Sequence, residues 1–254
     1  MSGKLVVVGL GPGNPQQMTP QAETVIAWAS DLFGYGPYLD RLSLAPGQRR
    51  HASDNREEIS RAGAALTAAA EGRRVAVVSG GDAGVFAMAA AICEAIENGP
   101  QEWRDIELDI VPGVTAMLAV AAKAGAPLGH DFCAISLSDN LKPWALIEQR
   151  LRAAAQAGFV IAIYNPVSRA RPWQLGKAFD ILRGILPAAA PVVFGRAAGR
   201  KDERIIVATL ERADPTQADM ATCVIVGSSE TRIVAREGRA PLVYSPRFSE
   251  KATT

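Results

Sequence analysis

Three glycine-rich segments, each directly after a short apolar run, constrain the fold more than any other feature of the sequence. They are residues 9–13 (GLGPG), 79–84 (SGGDAG) and 111–116 (VPGVTA). Short apolar runs bounded by glycine are typical of buried strands, and glycine lets the backbone approach a ligand closely. Because ligands of open α/β sheets bind at the carboxyl ends of strands, the three segments predict one binding site at one sheet edge.

Predicted strands and helices alternate along the whole chain. The first half has strands at 5–8, 75–79 and 106–111, and helices at 20–30, 54–71 and 85–98. The second half has strands at 132–137, 159–164, 192–195, 205–209 and 223–226, and helices at 143–157 and 173–186. This alternation favours mostly parallel sheets. A glycine- and proline-rich break at 125–129 predicts two α/β domains, residues 1–122 and 123–254.

Composition excludes several classes of protein. No apolar run is long enough to span a bilayer, and residues 1–30 lack a signal-peptide pattern, so we expect a cytoplasmic protein without a membrane partner. Aromatic residues are 6% of the chain and no basic run occurs, which argues against nucleic acid as a partner. Three scattered cysteines and two histidines predict no metal site.

Charge is distributed unequally between the two halves of the chain. Residues 1–125 hold 10 Lys/Arg and 14 Asp/Glu, whereas residues 126–254 hold 17 and 12. The excess of positive charge in the second half favours an anionic ligand there. An uneven solvated surface is the alternative explanation.

The first glycine segment fails the dinucleotide-binding pattern. That pattern needs a third glycine packed into a helix that begins at once, but here Pro12 intervenes and the helix waits until Pro20. No Gly-Lys-Ser/Thr phosphate loop is present either. A nicotinamide or flavin enzyme and a kinase are therefore disfavoured. Simple alternatives remain for each segment: a tight turn at 9–13, a helix cap at Asp82 and an N-cap at Thr115.

Taken together, the three segments resemble the tetrapyrrole methylase family, and the resemblance covers nearly the whole chain in the right order. It implies two α/β domains with a cofactor cleft between them, S-adenosylmethionine as the cofactor, and a homodimer. Finer features resemble the branch of the family that methylates C17 of precorrin-3B and contracts the macrocycle to precorrin-4, in corrin synthesis. These features are GYGPYLDR (34–41), ISLSDNLKPW (135–144), YNPVSRARPWQL (164–175) and GRAAGRKDE (195–203).

The resemblance also implies which residues bind the cofactor. They are Gly11, Pro12, Gly80, Gly81, Asp82, Val85, Phe86, Thr115, Ala116, Tyr164, Asn165, Arg196 and Thr222. Val85 and Phe86 could instead belong to an ordinary core. Asn165 precedes Pro166, which predicts extended backbone and leaves a turn as its alternative role.

The carboxylate-rich substrate that the resemblance implies calls for cationic and hydrogen-bonding partners. The candidates are Arg41, Ser138, Asn140, Lys142, Arg169, Arg171, Arg196 and Arg200. Each of them alone could be a solvated surface group.

Methyl transfer depends mainly on alignment and exclusion of water, whereas ring contraction also needs proton transfers. The acid/base candidates are Asp82, His130, Asp139 and Tyr164, with a structural role as the alternative for His130. Other functions stay open: methylation at a different carbon, a cobalt-containing substrate, and a non-catalytic tetrapyrrole-binding protein.

Overall fold

The computed structural model describes residues 3–54 and 56–248. The chain divides into two compact units, the first ending at Ala116 and the second beginning at Met117. The predicted boundary at 122/123 falls inside the helix Ala116–Ala124, so the division lies at the start of that helix. No helix within the described ranges has the length and apolar character needed to cross a membrane.

The first unit is a five-stranded parallel sheet in the order β3-β2-β4-β1-β5. Its elements are β1 (Lys4–Gly9), α1 (Pro20–Trp28), β2 (Asp31–Tyr35), α2 (Gly36–Leu39), β3 (Arg49–Ser53), α3 (Glu58–Ala70), β4 (Arg74–Ser79), α4 (Met88–Asn98) and β5 (Glu107–Val111). Gly9 is in register with Ser79, and Val8 with Val111. The three predicted glycine segments therefore begin side by side at one edge of the sheet.

Apolar side chains cover both faces of this sheet, as expected for a parallel sheet. On one face Leu5 and Val7 of β1 pack with Leu66 of α3 and Ile92 of α4. On the other face β1 packs with Ile26 of α1. The strands are consequently fixed, and the loops at their ends begin from rigid positions.

Two predicted helices begin later than their sequence patterns indicated. Helix α3 was predicted from Asp54 but starts at Glu58, while the Glu57 carboxylate accepts a 2.9 Å hydrogen bond from the Asp54 amide, which is half of the expected capping box. Helix α4 was predicted from Val85 but starts at Met88. The left-handed backbone of Phe86, with φ of 52°, breaks the helical path before that point.

The strands β2 and β3 were missed by the sequence prediction, each for a physical reason. Gly34 lies inside β2, where a side chain would come within 2.6 Å of Val78, and an internal glycine weakens the strand signal. Strand β3 is at the sheet edge and has three exposed residues of five, two of them arginines, which is typical of edge strands but lacks the apolar run that indicates a buried strand.

The second unit contains a five-stranded sheet in the order β10-β9-β11-β8-β7 and a small three-stranded sheet, β12-β13-β6. Its elements are α5 (Ala116–Ala124), β6 (Gly125–Ala126), β7 (Phe132–Ser136), α6 (Trp144–Gln156), β8 (Val160–Tyr164), α7 (Gln174–Arg183), β9 (Pro191–Arg196), β10 (Arg204–Thr209), β11 (Thr222–Val226), β12 (Arg232–Val234) and β13 (Leu242–Tyr244).

The prediction of mostly parallel strands is wrong for the second unit. Only β7 and β8 pair in parallel in its larger sheet, whereas β8–β11, β11–β9 and β9–β10 are antiparallel. The cause is the connection between β9 and β10: no α-helix separates them, so the chain reverses direction there, and β11, which pairs with β9 on its other side, runs the same way as β10. A parallel pair needs a long crossover, whereas a short loop reverses the chain and produces an antiparallel pair.

A buried carboxylate fixes edge strand β3 in the first unit. The Asp31 side chain is fully buried and binds Arg49 at 3.0 Å, His51 at 2.8 Å and Arg73 at 3.5 Å. Burial alone would raise the pKa of Asp31, but hydrogen bonds from His51, Ser30 and Arg49 lower that pKa below its ordinary value of 3.8. The ionised form of Asp31 therefore stabilises the fold.

We expect Asp31→Asn to lower the free energy of unfolding at neutral pH. A depressed pKa contributes stability above the unfolded pKa, and that contribution is lost as pH falls through the folded value. The difference between wild type and variant in urea unfolding should accordingly shrink below pH 4. Asp40→Asn is the control, because Asp40 pairs with Arg50 at an exposed site where such pairs contribute little. An equal loss in both variants would contradict the special role of Asp31.

We expect Gly195→Ala to destabilise the second unit by about 1–3 kcal/mol, because overpacking forces neighbouring groups to move. A Cβ at Gly195 in β9 would overlap the side chain of Val120 in α5. Gly176→Ala is the control in the same unit: the added methyl would meet Pro215 at an ordinary 3.7 Å, and helical alanine is about 0.5–1 kcal/mol better than glycine. Urea unfolding of both variants is the measurement, and a neutral Gly195→Ala would contradict the close packing of α5 on β9.

Candidate functional site

The first two glycine segments of the first unit bond to each other through their backbones. The amide of Gly11 donates to the carbonyl of Gly81 at 3.0 Å, and the amide of Gly81 donates to the carbonyl of Gly11 at 2.9 Å. Both residues have left-handed backbone, with φ of 69° and 70°. Only glycine adopts this conformation without strain, so the paired loops require glycine at both positions.

The third segment packs against the first two just as closely. A Cβ at Gly113 would collide with the carbonyl oxygen of Gly81, and a Cβ at Gly9 would lie 2.8 Å from the amide nitrogen of Gly113. The three strand-end loops thus meet backbone against backbone. Together they form one structure, which we call the glycine platform (residues 9–13, 79–84 and 111–116).

Asp82 joins two loops of the glycine platform. Its Oδ1 atom accepts a 2.8 Å hydrogen bond from the amide of Gly84, and its Oδ2 atom accepts a 2.9 Å bond from the amide of Gly113. The alternative role as a cap of α4 does not fit, because that helix begins only at Met88 with Ala87 at its cap. Both carboxylate oxygens already hold backbone amides, so the group is positioned to fix the platform.

Phe86 departs from ordinary backbone geometry next to the platform. Its φ is 52° and the residue is 50% exposed, whereas Val85 is half-buried. A bulky side chain in the left-handed region is strained, and such strain clusters at functional sites. The core alternative is therefore wrong for Phe86, which presents an aromatic ring at the surface.

The remaining predicted residues of the first unit lie in or against the platform. Pro12 and Thr115 are buried, and Ala116 begins α5. Gly80 faces Tyr38, whose ring would be 2.7 Å from an added Cβ. Arg41 was expected to bind substrate, but its Nη2 atom donates to the carbonyls of Leu10 at 3.0 Å and Gly11 at 3.2 Å. One function of Arg41 is therefore to hold the first glycine loop.

In the second unit, Tyr164 and Asn165 lie where β8 ends. The Tyr164 hydroxyl accepts a 3.0 Å hydrogen bond from the amide of Met117, which fixes the phenol against the start of α5. Asn165 donates from Nδ2 to the hydroxyl of Ser136 at 2.9 Å. Its φ is 50°, so the expectation of extended backbone before Pro166 is wrong, and the side-chain bond to β7 holds the turn instead.

Asp139 and Arg171, both predicted site residues, lie together. Asp139 is 3.9 Å from the Arg171 guanidinium and accepts a 3.2 Å hydrogen bond from Gln174. Arg171 is buried and also donates to the carbonyl of Asn165 at 3.4 Å. This arrangement ties the loop after β7 to the loop after β8. Arg171 is thereby committed to protein groups rather than displayed to solvent.

Arg196 and Thr222 are opposite each other on β9 and β11. The Arg196 guanidinium binds Asp202 at 2.6 Å and Asp219 at 2.7 Å, and these hydrogen bonds raise the pKa of Arg196. Thr222 donates to Asp219 at 2.8 Å. Two carboxylates therefore hold the side chain of Arg196.

The other predicted substrate contacts remain at the surface of the second unit. Asn140, Arg169 and Arg200 are exposed, and Ser138 is half-buried with its amide bonded to the Ser136 hydroxyl at 3.3 Å. Lys142 is half-buried. Burial and the charge of Arg150 lower the pKa of Lys142.

His130 is separated from the other acid/base candidates of its unit. It precedes β7, whereas Ser136 and the end of β8 lie at the opposite end of that strand, and Asp139 follows three residues later. At roughly 3.3 Å per residue, the four steps of β7 alone span about 13 Å. The structure thus does not bring His130 together with Tyr164 and Asp139, and its nearest ionic partner is Asp131, at 3.9 Å.

Sequence reasoning missed three polar residues that support the site. Ser136 receives Asn165, Gln174 binds Asp139, and Asp219 binds both Arg196 and Thr222. Gln174 belongs to the segment 164–175 that resembles the family, so its position in the sequence pointed to the site. Asp219 lies outside every recognised segment, and only the pairing of β9 with β11 brings it to Arg196.

Comparisons with known proteins agree with the architecture. The family profile described as Tetrapyrrole (Corrin/Porphyrin) Methylases matches residues 4–214. A Sinorhizobium protein named precorrin-3B C(17)-methyltransferase is 68% identical over 248 residues, which cover 98% of each chain.

Solved structures resemble the chain as well. The crystal structure of the methyltransferase CobJ superposes with a TM-score of 0.92 at 49% identity, covering 96% of this chain and all of that one. A uroporphyrin-III C-methyl transferase from Thermus thermophilus, solved with S-adenyl homocysteine, has a TM-score of 0.68 at 23% identity, over 89% of this chain and 98% of that one. At that identity the likeness concerns the fold.

We expect Asp82→Asn to destabilise the first unit by about 1–3 kcal/mol, because an amide turns one acceptor into a donor facing a backbone N–H. Urea unfolding is the measurement. Asp105→Asn, at an exposed position of the same unit, is the control and should change little. If Asp82→Asn were as neutral as its control, the carboxylate would not be what joins the second and third loops.

Proposed function

We propose that this chain, which belongs to the tetrapyrrole methylase family, transfers a methyl group from S-adenosylmethionine to C17 of precorrin-3B, with ring contraction to precorrin-4, in corrin biosynthesis. The observation that carries the proposal is the identity to the Sinorhizobium enzyme along almost the entire chain. The paired glycine loops support it independently, since they form a ligand-type edge without the dinucleotide or phosphate-loop pattern.

The glycine platform suits a cofactor that is bound mainly through backbone groups. Gly81 leaves space on its open side, where an added Cβ would meet nothing closer than 3.7 Å. Phe86 presents an exposed ring suited to packing against a flat adenine. We propose that S-adenosylmethionine contacts Gly11, Pro12, Gly80, Gly81, Asp82, Val85, Phe86, Thr115 and Ala116 in the first unit, and Tyr164, Asn165, Thr222 and the Arg196 backbone in the second.

Methyl transfer depends more on how the protein positions donor and acceptor than on strong acids or bases. When bound, the cofactor's sulfonium supplies an already activated methyl group. The platform's rigid backbone then sets the position of the donor, and alignment of this kind contributes up to about 7–11 kcal/mol. The loops of the glycine platform, which are fixed by contacts between their backbones, meet this requirement for alignment.

We propose Tyr164 and Asp139 as the groups that transfer protons during ring contraction. Asp82 accepts backbone amides with both of its oxygens, and His130 precedes β7, at the end of that strand away from the other candidates. The Tyr164 hydroxyl accepts the Met117 amide but keeps its phenolic proton, and Asp139 accepts its hydrogen bond from Gln174 with Oδ2. We further propose that the acetate and propionate groups of the substrate bind Ser138, Asn140, Lys142, Arg169 and Arg200, with Arg41 and Arg171 acting mainly through the loops that they hold.

The decisive experiment is turnover. Purified protein supplied with precorrin-3B and S-adenosylmethionine should release S-adenosylhomocysteine and a ring-contracted product with a new methyl group at C17, identified by mass spectrometry and NMR. Turnover of precorrin-2 or precorrin-4 instead would assign the chain to another methylation step. A preference for the cobalt-containing equivalent in parallel assays would favour that alternative substrate.

Cofactor binding is tested separately by calorimetric titration with S-adenosylhomocysteine. We expect Gly81→Ala to weaken binding about tenfold, since the added methyl group blocks close approach of the ligand to the backbone. Gly47→Ala is the control: its φ of 87° imposes the same strain, but nothing lies within 4 Å of the added methyl. Unchanged affinity in Gly81→Ala, or binding of NAD(P)H or ATP in its place, would contradict the proposed site.

The resemblance also supports a homodimer. Sedimentation of the purified protein at assay concentration should then give twice the chain mass of 26.8 kDa.

A further inference from the structure

Leu141 is an unusual residue for the surface of this protein. It is 92% exposed, more than any other large apolar side chain in the described ranges, where the next is Phe248 at 65%. It lies between β7 and α6, with Asn140 on one side and Lys142 on the other. Single exposed leucines are common, so the exposure of Leu141 points to a binding role only if the loop around it is held in place.

The start of this loop is anchored to two neighbouring elements. The amide of Leu137 donates to the carbonyl of Tyr164 at 2.9 Å, which extends the pairing of β7 with β8. Asp139 then accepts a 3.2 Å hydrogen bond from Gln174, which begins α7 and is 1% exposed. A buried donor of this kind fixes its acceptor firmly, because leaving the donor unsatisfied would be costly.

The end of the loop is anchored as well. Trp144 begins α6, and its ring meets the ring of Trp173 edge-to-face, with centroids 4.9 Å apart. Trp173 directly precedes α7, so this contact between the two rings joins the N-terminus of α6 to the N-terminus of α7. The loop from Ser138 to Lys142, which we call the 138–142 loop, therefore has two fixed ends and an exposed apolar tip.

The side chains of this tip match the chemistry of a tetrapyrrole. Such a molecule has a broad apolar ring system with carboxylates around its rim. Leu141 offers apolar surface, while the amide of Asn140 and the ammonium of Lys142 are suited to carboxylates. Apolar surface bordered by polar groups is typical of binding sites.

We propose that Leu141 packs against the apolar face of the tetrapyrrole and contributes to substrate affinity, and that Gln174 is a positioning residue that holds the 138–142 loop through Asp139. The inference rests on the proposed function, because it takes the substrate class from it. It adds two residues that the sequence analysis did not assign to the site.

The test is equilibrium binding of precorrin-3B, followed by its absorbance in the presence of S-adenosylhomocysteine, so that turnover is not needed. Leu141→Ser should raise the Kd for precorrin-3B about tenfold, since the variant loses the apolar surface that leucine would bury against the ligand. The Kd for S-adenosylhomocysteine and the Tm should stay unchanged. Leu141→Met keeps an apolar side chain at this position and should therefore bind precorrin-3B with nearly the affinity of wild type.

Ile59→Ser is the matched control, because Ile59 is also strongly exposed, at 62%, but is on helix α3 of the first unit. It should leave precorrin-3B binding unaltered. A Kd for Leu141→Ser within twofold of wild type would overturn the proposal. So would a loss of dimers in sedimentation, since Leu141 would then be covered by a second copy of the chain.

Gln174→Met tests the positioning role through coupling of two substitutions. If Gln174 acts by holding the loop, Gln174→Met should itself weaken precorrin-3B binding, leave S-adenosylhomocysteine binding unchanged, and reduce the further effect of Leu141→Ser. Strictly additive effects would contradict this role. Failure of the proposed function looks different: wild type would bind precorrin-3B with the expected dependence on Leu141 but would not methylate it at C17.

Discussion

The glycine platform depends on one constraint, the packing of three strand-end backbones against each other around the carboxylate of Asp82. The parallel register of β1 with β4 and β5 brings the three loops to the same edge. Glycine at positions 9, 11, 81 and 113 lets their backbones meet, and Asp82 bonds the second loop to the third. Backbone groups held in this way are pre-organised by their own contacts, which suits a reaction governed by alignment.

Backbone strain marks the same regions of the chain. In the described ranges, the non-glycine residues with left-handed backbone are Phe86, Asn165 and Ala197. They follow β4, β8 and β9, within or just after the segments 79–84, 164–175 and 195–203 that the sequence had singled out. Strained conformations persist where surrounding contacts enforce them, as the Asn165–Ser136 bond does, and they concentrate at functional sites.

The arginines show why residue type alone does not define a binding site. Arg41, Arg171 and Arg196 each bind carbonyls or carboxylates of the protein itself. Their charges stabilise loops, and the Asp202 and Asp219 partners largely cancel the charge of Arg196. The positive excess of the second half of the chain, a count that already includes Asp202 and Asp219, therefore lies on basic residues other than Arg171 and Arg196.

The sequence by itself determined the alternation of strands and helices, the three glycine loops and the family, because buried strands and obligatory glycines leave local signals. The same holds for the start of α1 at Pro20, where the side chain of Thr19 caps the helix by accepting a hydrogen bond from the amide of Ala22. Tertiary structure alone decided the antiparallel pairing in the second unit, the late start of α4 and the roles of Asp82, Gln174 and Asp219. Those features depend on contacts between residues far apart in the chain, such as Asp82 with Gly113, which no local pattern encodes.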